Sequence, residues 1–206
     1  MGGGLMQLVA YGAQDIYLTG NPQITFFKVV YRRHTNFSME AIEQTWNGSS
    51  DATASTTTGR CTATISRNGD LVHRMYFEIN SSAGPDAGVD NPGSSFITDV
   101  ELEIGGQKID KQSGAWMECW AELTEPNPTG AIVIGGGTKD GTLFQNMSGM
   151  GGFNGATTQG GGVYFVPLQF WFCRNPGLAL PLIALQYHEV KVILNHNIGM
   201  WFTSGT

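Results

Sequence analysis

The sequence is poor in charge. Asp, Glu, Lys and Arg make up only 14% of its 206 residues, whereas Phe, Trp and Tyr make up 11%. Acidic residues outnumber basic ones by 17 to 11, so there is no basic field that could release counterions from DNA or RNA. We therefore expect no direct nucleic-acid partner. Because interface cores are depleted in charge and enriched in aromatic residues, this composition favours a chain that assembles with other subunits.

Cysteine is scarce, and long apolar runs are absent from the sequence. The three cysteines, Cys61, Cys119 and Cys173, form no Cys-x-x-Cys pair, which argues against a disulfide framework or a zinc knuckle and favours a reducing compartment. The N-terminal stretch 1–10 has no basic region, and no run of about 18 apolar residues occurs. We expect a chain that is neither secreted by a standard signal nor membrane-spanning.

No catalytic, cofactor-binding or metal site is predicted. The histidines form no His-Glu-x-x-His motif, and His73 alternates with apolar residues, which is typical of a hydrogen-bonded interior or interface side chain. The segment Gly135–Lys139 lacks the order of a phosphate loop, and Gly149–Gly152 does not match a dinucleotide-binding pattern. Glu101 and Glu103 have the spacing that a solvated strand face gives. We therefore expect no enzyme.

The 29 glycines and the period-two alternation predict a β protein with many loops. Residues 61–65 and 71–80 each alternate, and Asn68-Gly69 between them predicts a tight hairpin turn. A second hairpin is predicted from 99–104 to 107–111 through Gly105-Gly106, with Val100, Leu102 and Ile104 facing inward.

Other segments carry weaker signals. A helix is predicted over 22–31, although its apolar pairs also suit a buried strand, and 37–46 favours a strand. Trp116, Trp120 and Leu123 recur at helical spacing with Met117 and predict a short amphipathic helix that ends before Pro126 and plugs one end of a sandwich. Pro167, within the aromatic run 163–173, indicates an edge, bulge or bend, and 187–195 alternates as a final strand.

Four sequons begin at Asn36, Asn47, Asn80 and Asn146. They are weak signals because Asn and Ser are abundant and no signal peptide is present. If any loop is glycosylated, the tract containing Asn146 is predicted to be the best exposed one.

Four long, ungapped blocks carry a resemblance to a known family. The blocks are Gly3–Lys28, Tyr31–Phe37, Asp99–Asp110 and Phe170–Val190. In this order they closely resemble the major capsid proteins of nucleocytoplasmic large DNA viruses, of the algal-virus and mimivirus-like kind.

The resemblance implies an all-β fold, an antiparallel jelly-roll β-sandwich with short helices. It implies an N-terminal arm at 1–21 and a first jelly-roll domain at 22–206, with long loops at 81–95 and 127–162 that lie on the exterior. The implied function is that of a structural, late virion protein: a homotrimer forms a pseudo-hexagonal capsomer that tiles an icosahedral capsid. Implied partners are neighbouring capsomers and minor capsid proteins, with indirect proximity to an internal membrane and assembly in the host cytoplasm.

The sequence departs from the family pattern in two ways. Family chains are considerably longer, so a second jelly roll and one closing strand are expected to be absent, and the fold is expected to be truncated with an open sheet edge. The motif Met147–Gly152 lies in the middle of this chain, whereas a similar motif in the family lies near the C-terminus.

Two other functions remain open at the level of sequence. A carbohydrate-binding β-sandwich would explain the aromatic loops, but no Asp/Asn cluster for calcium is evident. A β-sandwich hydrolase would need convergent acids, and none are found.

Overall fold

The computed structural model describes residues 36–48, 58–81, 90–126, 142–153 and 162–200. Residues 42–206 form one compact unit, and residues 36–41 are the described part of a second unit, 1–41. The predicted arm at 1–21 and the predicted helix at 22–31 lie outside the described residues.

The described residues form nine strands, most of them short. They are β1 (Trp46–Gly48), β2 (Gly59–Thr64), β3 (Leu71–Val72), β4 (Tyr76–Ser81), β5 (Ile97–Ile104), β6 (Gln107–Gln112), β7 (Gly162–Pro167), β8 (Leu180–Pro181) and β9 (Val190–His196).

All strand pairs are antiparallel and belong to three sheets. The largest sheet has the order β1-β2-β9-β5-β6, and two ribbons pair β3 with β8 and β4 with β7. The last strand, β9, is paired on both sides, by β2 and by β5, so the edges of the described five-stranded sheet are β1 and β6. Apolar side chains of this sheet and of the β4–β7 ribbon share one hydrophobic core, as the predicted all-β sandwich requires.

The core residues are those that the period-two pattern selects. Val100 and Leu102 of β5 and Val166 of β7 are fully buried. Phe77 and Ile79 point into the same core from β4, whereas Tyr76, Glu78 and Asn80, which alternate with them, are exposed. The predicted alternation therefore identifies the inner faces of β4 and β5 correctly.

The second predicted hairpin is confirmed. β5 and β6 pair in register across Gly105 (φ 59°) and Gly106 (φ 82°), the positive angles that a two-residue turn needs. A bulge lies between Leu102 and Glu103.

The first predicted hairpin is wrong. β2 pairs with β1 and β9, whereas the segment after Asn68-Gly69 divides into β3, which pairs with β8, and β4, which pairs with β7. Neither Asn68 nor Gly69 has a positive φ. Pairing with strands distant in the sequence therefore overrides the local turn signal, because the stability of a strand depends on its cross-strand neighbours.

Four short α-helices and two 3-10 helices complete the described fold. The α-helices are α1 (Pro92–Ser95), α2 (Gly114–Thr124), α3 (Leu143–Ser148) and α4 (Trp171–Arg174), and the 3-10 helices are Pro176–Leu178 and Ile198–Met200. The predicted amphipathic helix is thus confirmed as α2, which ends before Pro126.

Two segments differ from their predictions. The strand predicted over 37–46 is wrong except at its last residue: residues 37–45 form no strand, and β1 begins at Trp46. Phe37 and Met39, which suggest a buried face in the sequence, are exposed. Within the stretch 127–162, residues 142–153 form a buried anchor: α3 begins at a capping box of Thr142 and Gln145, and Gln145, Met150 and Phe153 are buried.

Candidate functional site

The described residues contain no group of three or more His, Cys, Asp or Glu side chains that could hold a metal ion. No helix among them is both long and apolar enough to cross a bilayer. Gly135–Lys139, the segment that superficially matches a phosphate loop, lies outside the described residues.

The expectation of a solvated face at Glu101 is wrong. The side chain of Glu101 is only 8% exposed, because Lys108 and Lys111 from the neighbouring strand β6 pair with its carboxylate. Lys111 also lies 3.3 Å from Asp99, and its hydrogen bond to Asp99 is the main reason why the pKa of Lys111 is raised. The outer face of the sheet is therefore a closed network of opposite charges and not a pair of acids free for acid/base chemistry.

The histidines have separate structural roles. The His73 Nδ1 atom lies 3.2 Å from the carbonyl oxygen of Phe172, which confirms the predicted hydrogen bond, and the side chain is half-buried. His196 is buried at the end of β9, and its Nδ1 accepts a hydrogen bond from the backbone of Ile198. His188 is exposed and precedes β9.

A shallow cavity of about 370 Å³ lies beside the turn that leads into β9. Arg67 closes this turn by donating hydrogen bonds to the carbonyl oxygens of Leu185 (2.7 Å) and His188 (3.1 Å). The carboxylate in its lining, Glu189, pairs with Lys191 at 2.8 Å, and this hydrogen bond lowers the pKa of Glu189. A carboxylate held ionised by a lysine is a poor general acid.

Two of the three thiols, those of Cys61 and Cys173, are unsuited to nucleophilic chemistry. Cys61 is buried in β2, and burial raises the pKa of its thiol to about 11. Burial likewise raises the pKa of half-buried Cys173 to about 11. Because the thiolate is the reactive form, both groups are inert near neutral pH.

Glycines allow three short segments to meet at a helical junction. A Cβ on Gly93 of α1 would overlap the carbonyl oxygen of Ser148, and a Cβ on Gly114 of α2 would overlap that of Ser94. Gly149 ends α3 with φ 64°, and Gly151 (φ 76°) continues the left-handed turn. The glycine-rich motif Met147–Gly152 is therefore a packing motif here.

Glu118 fixes this junction with its carboxylate. One oxygen accepts hydrogen bonds from the backbone of Gly151 (2.7 Å) and Gly152 (3.3 Å), and the other accepts one from the Ser94 hydroxyl (2.9 Å). A single half-buried acid on α2 thus links α1 to the segment after α3.

The outer side of α2 presents what we call the aromatic-cation surface, formed by Trp116, Trp120, Leu123 and Arg174. The two indoles stack with ring centroids 5.5 Å apart, and the guanidinium carbon of Arg174 lies 4.2 Å from the Trp120 centroid and 5.6 Å from that of Trp116. Leu123 extends the surface and is 82% exposed.

The spacing that predicts α2 does not identify its buried side. Gly114, Met117 and Ala121 face the interior, where Met117 is fully buried. The small residues permit close approach to α1 and β5, so the bulky Trp116 and Trp120 lie on the other side. The signal that locates the inner face is this Gly-x-x-Met-x-x-x-Ala spacing, which the tryptophan spacing obscures in the sequence.

The β4–β7 ribbon presents a second exposed surface, which we call the aromatic-acid surface, formed by Tyr76, Glu78, Val163 and Phe165. Glu78 is directly opposite Phe165 in the register, so both project from the same face. Tyr76 is 50% exposed, Val163 42% and Phe165 38%. Glu78 is exposed and forms no ion pair with any described residue.

The sequon asparagines differ in exposure. Asn36, Asn47 and Asn80 are exposed, whereas Asn146 lies in α3 and is only partly exposed. The prediction that the Asn146 tract is the best exposed is therefore wrong, because the helix packs against the core.

Comparisons with known proteins cover nearly the whole chain. A family model described as "Major capsid protein N-terminus" matches residues 25–200. The major capsid protein of Pyramimonas orientalis virus is 56% identical over 94% of this chain and 46% of its own length. That of Paramecium bursaria Chlorella virus 1 is 47% identical over 93% of this chain and 40% of its own length.

A solved structure of the PBCV-1 virus capsid has a similar fold, with a TM-score of 0.61 and 35% sequence identity over 88% of this chain and 41% of the solved one. This likeness confirms the predicted jelly-roll fold class. The chain spans less than half the length of the relatives that it matches.

Proposed function

Because this chain belongs to the major capsid protein family of large DNA viruses, we propose that it is a structural building block of a viral capsid. The observation that carries the proposal is the family match over residues 25–200, which includes every described strand. The protein functions by assembly: its affinity for other subunits comes from the surface buried between them, and no substrate is turned over.

The exposed side chains support an assembling role. The aromatic-cation and aromatic-acid surfaces place two tryptophans, a tyrosine and a phenylalanine at least partly in water. Such residues, with arginine, are enriched where interfaces gain most of their binding energy. The outer face of the large sheet carries paired charges instead, so the two aromatic surfaces are the better candidates for contact with other subunits.

The proposed oligomeric state of the subunit is a homotrimer. We infer that three chains form a pseudo-hexagonal capsomer that tiles an icosahedral capsid, together with neighbouring capsomers and minor capsid proteins. In this arrangement residues 1–21 act as an arm towards neighbouring subunits and residues 22–206 form the first jelly-roll domain. The loops at 81–95 and 127–162 face the exterior except where α1 and residues 142–153 pack against the core. The protein is a late product that assembles in the host cytoplasm and resides in the virion.

Light scattering on the purified full chain tests this proposal. At micromolar concentration we expect a stable particle of three times 22.2 kDa, the mass of one chain. A monodisperse monomer of 22.2 kDa under the same conditions would contradict the trimer.

A further inference from the structure

We propose that the aromatic-cation surface of one chain binds the aromatic-acid surface of a second copy, with Arg174 of one copy paired to Glu78 of the next. This inference rests on the proposed capsomer and names the residues through which its subunits meet.

The first argument is charge. Arg174 makes no ion pair with any described residue, although it is stacked on Trp120. Its Nε donates a hydrogen bond to the carbonyl oxygen of Gln169 at 3.3 Å, which is a neutral acceptor, so no described residue compensates the positive charge. The surface therefore suits an apolar partner that carries a carboxylate.

The aromatic-acid surface has these properties. Glu78 lies on the exposed face of β4 between Tyr76 and the polar Asn80, and directly opposite Phe165 on the partner strand. It forms no ion pair within the described part of the chain. A guanidinium and a carboxylate brought together among aromatic rings form a directional, charge-assisted contact that also excludes mismatched partners.

The second argument is symmetry. A ring of three identical subunits is built from heterologous contacts, in which each chain uses two different surfaces. This chain has two exposed aromatic surfaces that differ in composition and in the sign of their uncompensated charge. A surface that paired with itself would place like charges together, whereas a ring of three joins the two different surfaces at every contact, as this complementarity requires.

The stacking of Arg174 prepares the contact. The guanidinium is held on the indole of Trp120 before binding, so little side-chain freedom is lost when a carboxylate arrives. Trp116 and Leu123 then supply apolar area around the charged pair.

Charge reversal tests this contact in the full chain. Light scattering and sedimentation would compare Arg174→Glu, Glu78→Arg and the double variant with the unsubstituted chain. We expect each single reversal to weaken trimer formation about 100-fold or more. The double variant should recover part of the affinity, because it restores opposite charges across the same contact but loses the stacking of Arg174 on Trp120.

Two further variants separate the contact from effects on folding. Arg60→Glu reverses an exposed charge on β2, outside both surfaces, and should leave the trimer intact. Leu123→Asp changes a side chain that is 82% exposed, so it should leave the monomer folded and still weaken the trimer. Circular dichroism and thermal unfolding of each variant measure whether the sandwich is formed.

The outcomes distinguish this inference from the proposed function. A trimer that is insensitive to the single reversals, or a loss that the double variant does not reverse even in part, overturns the Arg174–Glu78 contact and leaves the capsomer proposal standing. A dimer whose mass responds to Arg174→Glu alone overturns the head-to-tail arrangement. A monomeric unsubstituted chain overturns both.

Discussion

Glu118 joins three segments that are separate in the sequence. Its carboxylate reaches Ser94, 24 residues before it, and Gly151, 33 residues after it. The alternation and helical spacing of the sequence identify α2 but give no reason to single out one of its acids. The role of Glu118 depends on tertiary approach, which Gly93 and Gly114 permit by lacking a side chain.

Removing this carboxylate should destabilise the fold. Glu118→Ala leaves the backbone N–H groups of Gly151 and Gly152 and the Ser94 hydroxyl without their acceptor, so we expect the free energy of unfolding to fall by about 2 kcal/mol. Urea denaturation followed by tryptophan fluorescence measures it. Glu122→Ala on the exposed side of the same helix is the matched control and should change it by less than about 0.5 kcal/mol. Equal effects of the two substitutions would refute the role of Glu118.

Glu101 shows a second limit of the sequence at this scale. The alternation of β5 places it correctly on the outer face, opposite Val100 and Leu102. Its burial comes from Lys108 and Lys111, which the hairpin brings across to it. The face of a strand can thus be predicted from its own residues, whereas exposure on that face also depends on the neighbouring strand.

Among the elements, the two candidate turns show when a local signal decides structure. Gly105-Gly106 joins two strands that pair with each other, and the prediction from sequence is confirmed. Asn68-Gly69 is an equally good turn signal, but the strands around it pair with β8, β9 and β7. Contact with distant strands could not be read from the pattern, because alternation identifies a strand and not its partner.

Alanine substitutions at the two turns should therefore differ. Gly106 has φ 82°, and no described atom lies within 4 Å of the position that a Cβ would take, so Gly106→Ala costs only backbone strain, about 1 kcal/mol. Gly69 has no positive φ, and the nearest atom to its Cβ position is 4.0 Å away, so Gly69→Ala should be neutral or slightly stabilising. Thermal unfolding of both variants measures the difference. A larger loss at Gly69 would argue for the local hairpin after all.

The sequence predicts the position of helix α2 and its end before Pro126. It does not predict that the tryptophans lie on the outer side of the helix. Helical spacing relates Trp116, Trp120 and Leu123 to one another but does not say whether their side faces the core or water. The outer position of the tryptophans has a physical reason in the chain: α1 approaches α2 too closely for anything larger than Gly114 at the contact.

For the whole molecule, buried ionisable groups predict an alkaline limit to stability. Burial raises the pKa of Cys61 and Cys173 from 9.0 to about 11 and raises the pKa of Tyr164 above 10.0. The folded chain therefore holds these protons more tightly than the unfolded chain does. Their contribution to stability is complete below about pH 9 and is lost as the pH rises towards 11.

Urea denaturation at a series of pH values checks this expectation. The free energy of unfolding should decline between about pH 9 and pH 11, and Cys61→Ala should make the decline shallower. Replacement of the exposed Cys119 with alanine is the matched control. A free energy of unfolding that stays constant up to about pH 11 would contradict the prediction.

Composition and pattern are most informative at the largest scale. Low charge and many aromatic residues predict assembly surfaces, and alternation predicts a sandwich, because both properties are averages over many residues. The order of strands in the large sheet could not be predicted in the same way. Alternation gives no sign that β2 pairs with a strand as distant in the sequence as β9, where Arg60 lies opposite Asn195.

The central place of β9 in the large sheet has a consequence for synthesis on the ribosome. Before β9 has emerged, β1–β2 and β5–β6 are two separate pairs, since β2 and β5 are joined in the described sheet only through β9. During synthesis, β2 and β5 therefore each lack one neighbouring strand until residues up to His196 have left the exit tunnel. We therefore expect the sheet to close when β9 pairs with both β2 and β5, and we expect this step to be slow because its contacts are distant in the sequence.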